Sequence, residues 1–484
     1  MILKNNPDEI ADFLKDASNS VGTADVVYLP ESYKELREIL RECFIKRIPV
    51  TVSGGKTGLV GGAVPNGGAV ISLKGMNSIL SIDETLQCAI LEPGVLLKDF
   101  AAELLYRGYF YPPDPTESTA TIGGTIATNA SGARTYRYGA TRHYVKALKI
   151  ILADGDELYL RRGEVFADGH VLKILSLSGN TYEIIIPDIR MPDIKHAAGY
   201  FFKNGMDGID LFIGSEGTLG VIAEIEVEFL KAPEQLIGGV VFFSKDEDVL
   251  PLLHFLKNTK NLELSPRLLE FFDERSIVLL KETFKNIPSA AGAALWFEQE
   301  ATVENADGLL NSWADVIRQY SALADEAWIA LHSHEHERIR QFRHALPSAV
   351  YERISSAGQR KVGTDMAVGD EQFPELFAFF KNEVARSGLD YVMFGHIGNN
   401  HLHVNMFAKN DADFLKAKVL YSVFIDKTLE FGGTISAEHG VGKLKTEFLK
   451  RMYDEKAISQ MLHCKGVLDP EMLLGRGTVF GENF

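Results

Sequence analysis

Thr119-Ala-Thr-Ile-Gly-Gly-Thr-Ile-Ala-Thr-Asn-Ala-Ser-Gly132 decides how the first half of this chain is read. It follows Pro112-Pro-Asp-Pro115 and precedes Tyr138-Gly139-Ala140. Almost every residue in it is small or carries a hydroxyl. Small side chains let backbone approach a flat ligand, and Thr, Ser and Asn offer hydrogen bonds. The competing reading is a small-residue helix packed tightly on a sheet. Upstream, Ser53-Gly-Gly-Lys-Thr-Gly-Leu-Val-Gly-Gly62 holds five glycines directly after the short strand Pro49-Val-Thr-Val52. Such a loop can turn successive backbone N–H groups toward phosphate oxygens. It has neither the P-loop spacing nor a Gly-x-Gly-x-x-Gly pattern, so a tight turn is its alternative. Downstream, Gly214-Ser-Glu-Gly-Thr-Leu-Gly-Val-Ile222 again sets small residues where an apolar run ends. Three such stretches in one domain suggest an extended ligand lying across it, and a dinucleotide is the natural candidate.

A second pattern lies in the other half. His396-Ile-Gly-Asn-Asn-His-Leu-His403-Val-Asn405 is followed by Ala437-Glu438-His439-Gly440. Alternation from His401 to Phe407 reads as a strand, with His401, His403 and Asn405 on one face. Gly433–Ala437 reads as a second strand that delivers Glu438 and His439 to a glycine turn. Two imidazoles and a carboxylate with open positions describe a catalytic divalent-metal site better than a closed structural one. His439 would then serve as a base. Histidines on strands also simply satisfy core hydrogen bonds, and that reading stands beside the first.

Composition bounds the rest. A chain of 484 residues is long enough for two domains or more, and 46% hydrophobic and 24% charged residues are those of a folded globular protein. A net charge of −16 argues against a nucleic-acid surface. No run of apolar residues is long enough to span a membrane. The N-terminus lacks the pattern of a signal peptide. The three cysteines, Cys43, Cys88 and Cys464, are few and far apart, which suggests a reducing compartment, the cytoplasm by default.

Along the chain, Ser32–Lys46 and Leu96–Arg107 carry helical periodicity, and Val70–Leu73, Ile79–Ile82 and Cys88–Leu91 look like strands. Tyr144–Ala153 and Glu157–Leu160 suggest a hairpin around Asp154-Gly155. Near Lys231-Ala-Pro233 the texture changes to longer helices: Glu247–Thr259, Ser265–Phe284, Val303–Tyr320, Glu335–Ile354 and Gln372–Arg386. They alternate with the strands Gly238–Phe243, Ala293–Phe297, Tyr391–Gly395 and the His-bearing strand. The expected division is residues 1–230, residues 231–442, and a C-terminal segment 443–484 returning to the first domain. His332-Ser-His-Glu-His336 is read as solvated surface.

These motifs together resemble the FAD-linked oxidases of the vanillyl-alcohol-oxidase/p-cresol-methylhydroxylase fold, and within them the D-2-hydroxyacid dehydrogenase branch. The resemblance runs from about Val26 to Gly477. It implies an α+β fold: a two-part FAD-binding domain, and an α+β substrate (cap) domain with an antiparallel sheet. It implies non-covalent FAD held by Ser53, Gly54, Gly55, Lys56, Thr57, Gly58, Gly61, Gly62, Pro113, Asp114, Thr121, Gly123, Gly124, Asn129, Ser131, Gly132, Glu216, Gly220 and Ile222. It implies a divalent metal, zinc or manganese, on His396, His403 and Glu438, with His439 as the base near flavin N5. Arg343 and Asn405 would contact substrate, with Lys361 nearby.

The chain departs from the family pattern at Asn399-Asn400-His401, where Asp, Gly and Asn are usual. His401, on the same strand face as His403, is thereby a further candidate ligand. Positions matching a Thr and a Lys that some relatives use for a second substrate carboxylate are Pro347 and Gly363 here. The implied reaction takes a D-2-hydroxyacid of the D-lactate, glycolate or D-2-hydroxyglutarate class to its 2-oxo acid, with hydride passing to flavin. Electrons then leave to a quinone, cytochrome, electron-transfer flavoprotein or iron–sulfur partner. A homodimer and a peripheral position at the inner membrane follow from the same analogy. The rivals are a non-redox flavoenzyme resembling alkyl-dihydroxyacetone-phosphate synthase, a metal-dependent hydrolase whose glycine loops only pack, and a non-catalytic flavin-binding subunit.

Overall fold

Apolar residues at Leu36, Ile39, Leu40 and Cys43 line one face of the helix Tyr33–Ile45, which Ser32 caps through the Glu35 N–H. That face packs on Ala69, Ile71 and Val50 of a small sheet. The sheet orders Ile2–Lys4, Val26–Leu29, Ala69–Ser72 and Val50–Ser53, with the last three strands parallel. A second sheet orders Ile79–Asp83, Cys88–Leu91, Val221–Glu228, Val145–Ile151 and Glu157–Arg161, all antiparallel. The expected hairpin is present, and Gly155 turns it at φ +83°.

The computed structural model describes residues 2–258, 263–356, 358 and 362–482. They form two compact units. The first comprises Met1–Gly132, Gly139–Lys231 and Ile435–Phe484, and holds both sheets above. The second comprises Ala133–Tyr138 and Ala232–Thr434. The chain thus re-enters the first unit at Ile435, earlier than the expected 443.

The second unit is built on an eight-stranded sheet in which every pairing is antiparallel. Its path runs Trp328–Ala330, Gln235–Phe243, Ala293–Ala301, Leu268–Phe272, Asp390–Gly395, His401–Phe407 and Val362–Gly363, with Met366–Ala367 also paired to His401–Phe407. Phe242, Phe272, Trp296 and Val392 on this sheet share a core with Phe342 and Leu346 of the helix Ser333–Ser356.

Three expectations are corrected. Ser265–Phe284 is not one helix. Leu268–Phe272 is a fully buried central strand and the helix is Glu274–Thr283, capped by Asp273. A continuous apolar run of that length has no period that tells a buried strand from a buried helix. Gly433–Ala437 is not a strand; it makes a single bridge, Thr434 to Ala367. His336 is not solvated surface. It is buried in the first turns of its helix, with Nε2 at 3.1 Å from the Leu236 carbonyl and Nδ1 at 3.6 Å from Glu298.

Candidate functional site

In the first unit the three glycine-rich stretches come together. Thr121 caps the helix Ile122–Ala127 by accepting from the Gly124 N–H. The helix then hands its last carbonyls to the third stretch: Gly214 N–H donates to Ile126 and Glu216 N–H to Ala127, at 2.9 and 2.8 Å. Gly54 lies so close to Thr121 that a Cβ there would sit 2.4 Å from its hydroxyl oxygen. A Cβ on Gly55 would meet the Thr119 carbonyl at 2.8 Å, and one on Gly132 the Asp114 carbonyl at 1.8 Å. Gly123 is similarly pressed on Pro93, and Gly220 on Ile150. Glycine is needed at Gly55, Gly123 and Gly132 for close approach to backbone, and at Gly54 and Gly220 to clear the Thr121 and Ile150 side chains.

Polar atoms also remain. Ser53 Oγ, at the mouth of the first loop, and Tyr111 OH, just before Pro112, are buried without a hydrogen-bond partner among the described residues. A close-packed backbone cradle with orphaned polar atoms fits a polar, elongated cofactor.

Several of the residues expected at the cofactor also make contacts within the protein itself. Lys56, at φ +60°, sends its ammonium to the Asp12 carbonyl. Asn129, at φ +48°, accepts from the Arg142 N–H at 3.0 Å. Ile222 lies in the strand Val221–Glu228 opposite Ile150. Glu216, at φ +54°, is buried, and its two carboxylate oxygens accept from the N–H groups of Val441 and Gly442, each at 2.8 Å. Burial pushes its carboxyl up to about 7 against the pull of those N–H groups. A Cβ on Gly440 would lie 2.9 Å from that carboxylate. Glu216 therefore holds the turn that carries Glu438 and His439.

On that turn, Glu438 Oε2 accepts from Lys195 Nζ at 2.7 Å, and Ser131 Oγ lies 3.4 Å away. The Lys195 side chain is 2% exposed. His439 Nε2 stands 3.5 Å from Glu438 Oε1.

In the second unit, Asp390–Gly395 ends at His396, turns through Ile397–Asn399, and returns as His401–Phe407. Asn400 makes the turn at φ +55°, and its side chain supports that conformation. Its amide donates to Asp370 at 2.7 Å and its carbonyl accepts from Lys257 Nζ at 2.6 Å. The turn brings His396, His401 and His403 together with ring centroids 4.5 to 5.8 Å apart.

Two of the rings are oriented from behind. His396 Nδ1 donates to Glu270, and His403 Nδ1 donates to the Thr364 carbonyl at 2.8 Å. Asp365 Oδ1 stands 3.2 Å from His401 Nε2. Glu270 also accepts from Arg343 Nε at 2.8 Å. Burial would raise the Glu270 carboxyl, but His396 and Arg343 outweigh it and hold it at about 2. Arg343 is itself buried, and its Nη1 has no hydrogen-bond partner among the described residues. The same is true of Asn405 Oδ1. Lys361 lies outside the described residues.

Sequence reading missed Glu270, Thr364, Asp365 and Lys195. Glu270 left one signal, a lone carboxylate inside Leu268-Leu-Glu-Phe-Phe272, since a charge in a buried run needs a partner. Lys195 left none.

The chain also matches known families over these stretches. A family described as FAD binding domain matches residues 24–161, and one described as FAD linked oxidases, C-terminal domain, matches residues 233–479. The chain is 32% identical over 487 residues to D-lactate dehydrogenase of Anaerostipes hadrus, covering 98% of this chain and 93% of that protein. It is 28% identical over 470 residues to glycolate oxidase subunit GlcD of Bacillus subtilis, covering 95% and 89%. It is 28% identical over 473 residues to D-2-hydroxyglutarate dehydrogenase of Stutzerimonas stutzeri, covering 94% and 90%. Among solved structures, alkyldihydroxyacetonephosphate synthase superposes with a TM-score of 0.68 at 15% identity, over 98% of this chain and 81% of that one. At that identity the likeness concerns the fold alone.

Fold and sequence together define a FAD-dependent oxidoreductase with an α+β architecture, an FAD-binding domain of p-cresol-methylhydroxylase type joined to a second domain with an antiparallel sheet. The chain belongs to the FAD-linked oxidases. No helix among the described residues is long and apolar enough to cross a membrane.

Proposed function

We propose that the protein oxidises a D-2-hydroxyacid, of the D-lactate, glycolate or D-2-hydroxyglutarate class, to the corresponding 2-oxo acid. The observation that carries this reading is Arg343. It is a buried guanidinium with an unsatisfied Nη1, coupled through Glu270 to the imidazole of His396. A 2-hydroxyacid presents a carboxylate next to a hydroxyl, and a spare N–H donor near an imidazole cluster suits that pair. The relatives' names point to the same substrate class.

The imidazoles of His396 and His403, each held by an acceptor, fit a divalent ion of the zinc class. His396, His403 and Glu438 would hold it. When bound, FAD supplies the acceptor for an electron pair, and the metal supplies positive charge that acidifies a hydroxyl. Arg343 pairs with the substrate carboxylate, and Asn405 orients the substrate through its amide. His439 takes the hydroxyl proton, while the Cα hydrogen leaves with its electron pair. The substrate loses two electrons and two protons in all, and the electrons pass on to a non-nicotinamide acceptor. Cytoplasmic residence, peripheral contact with the inner membrane where the acceptor is lipid-borne, and a homodimer complete the proposal.

Stopped-flow flavin reduction tests these roles. His439→Ala and Glu438→Gln should each slow substrate-driven reduction by about 10²-fold or more while flavin stays bound, the scale of a lost general base or metal ligand. Near-native rates in both variants would refute the assignment.

A further inference from the structure

We propose that His401 is a third imidazole ligand, so that a single turn of the second unit offers a divalent metal three nitrogens. This deepens the metal reading above and departs from the usual pattern of the family, which has Asn at this position. The three rings sit on one strand–turn–strand, closed by the His401 N–H donating to the His396 carbonyl at 3.2 Å. His401 and His403 share a strand face, and their centroids are 4.5 Å apart. One ligand nitrogen from each of the three rings lies within 4.8 Å of the others. His401 is fully buried and His396 is 3% exposed.

Two of the rings have an acceptor on a separate residue, Glu270 for His396 and Thr364 for His403, and Asp365 Oδ1 stands 3.2 Å from His401 Nε2. A carboxylate or carbonyl hydrogen-bonded behind an imidazole fixes its orientation and raises its basicity, the arrangement found behind metal-bound histidines. Three imidazoles select for borderline metals such as zinc or cobalt over manganese or magnesium, which prefer oxygen.

The test uses the FAD-loaded protein stripped of metal by a chelator, with cobalt(II), zinc(II) and manganese(II) alone as probes. The native protein should bind one cobalt per chain with the intense visible bands of a low-coordinate, nitrogen-rich site. His401→Asn, which restores the family's residue, should weaken cobalt and zinc about 10–100-fold and change manganese less than about threefold. Unchanged flavin absorbance would show that the variant is folded. If His401→Asn proves unstable, X-ray absorption on the zinc-loaded native protein replaces it, and should show three imidazoles. Native-like cobalt binding by His401→Asn, two imidazoles by X-ray absorption, or no cobalt binding by the native protein would each overturn the proposal. Substrate bleaching of the flavin is recorded on the same samples. Bleaching with His401→Asn binding like native sinks the third ligand alone. Three imidazoles without bleaching by any 2-hydroxyacid sinks the oxidase reading alone.

Discussion

Gly132 and Gly58 belong to the same sequence signal but carry different loads. A methyl on Gly132 would collide with the Asp114 carbonyl at 1.8 Å, whereas the nearest atom to one on Gly58 is Asp16 Oδ2 at 3.9 Å. Gly132→Ala should therefore destabilise the fold by about 1–3 kcal/mol and lower flavin content, because backbone must move to admit the new atom. Gly58→Ala should leave fold stability unchanged. Urea unfolding and the flavin-to-protein absorbance ratio of the two purified variants check this. The glycines were legible in sequence because the need for backbone approach leaves a compositional trace. Lys195 left none, since its partner Glu438 is 243 residues away and no local pattern marks either as half of a pair. Asn400 is intermediate. Its left-handed backbone suits the glycine usual there, but the Lys257–Asp370 brace that lets asparagine hold it is a tertiary fact.

At the scale of elements, strand alternation from His401 to Phe407 placed His401 and His403 on one face, and the strand bears this out. The same reasoning failed at Leu268–Phe272. All five residues there are buried, so no period survives, and Glu270 was absorbed into a helix with its partners Arg343 and His396 unseen. Glu216 shows a third case. The sequence marked it only as part of a glycine-rich stretch resembling a cofactor site; that its carboxylate ties the turn Glu438–Gly442 to that stretch is a tertiary fact. Glu216→Ala leaves two backbone N–H groups unpaired and should cost about 1–3 kcal/mol for each that stays buried. Urea unfolding of this variant should show the loss, and a native-like midpoint would mean that the turn is held by other contacts.

For the molecule as a whole, acid stability should depend on the buried carboxylates of the second unit. Burial opposes ionisation of Glu298, but Arg267 at 2.6 Å and the nearby His336 outweigh it and hold the carboxyl at about 2. Its folded value lies below the unfolded value of roughly 4.3, so its contribution is present above that pH and is lost as the pH falls toward 2. Melting temperatures measured downward from neutral pH should fall through this window, and Glu298→Gln should flatten the fall whatever it does to the absolute melting point. Oxidation of a D-2-hydroxyacid by the assembled protein is read out by anaerobic titration of the purified, flavin-loaded protein with the D- and L-forms of lactate and 2-hydroxyglutarate, and with glycolate. The oxidised flavin's visible absorbance should be lost with at least one D-acid or glycolate, not with the L-forms, and prior removal of metal should suppress the loss. A flavin that none of these acids bleaches, or that an L-acid bleaches equally well, would show that the protein is not a D-2-hydroxyacid dehydrogenase.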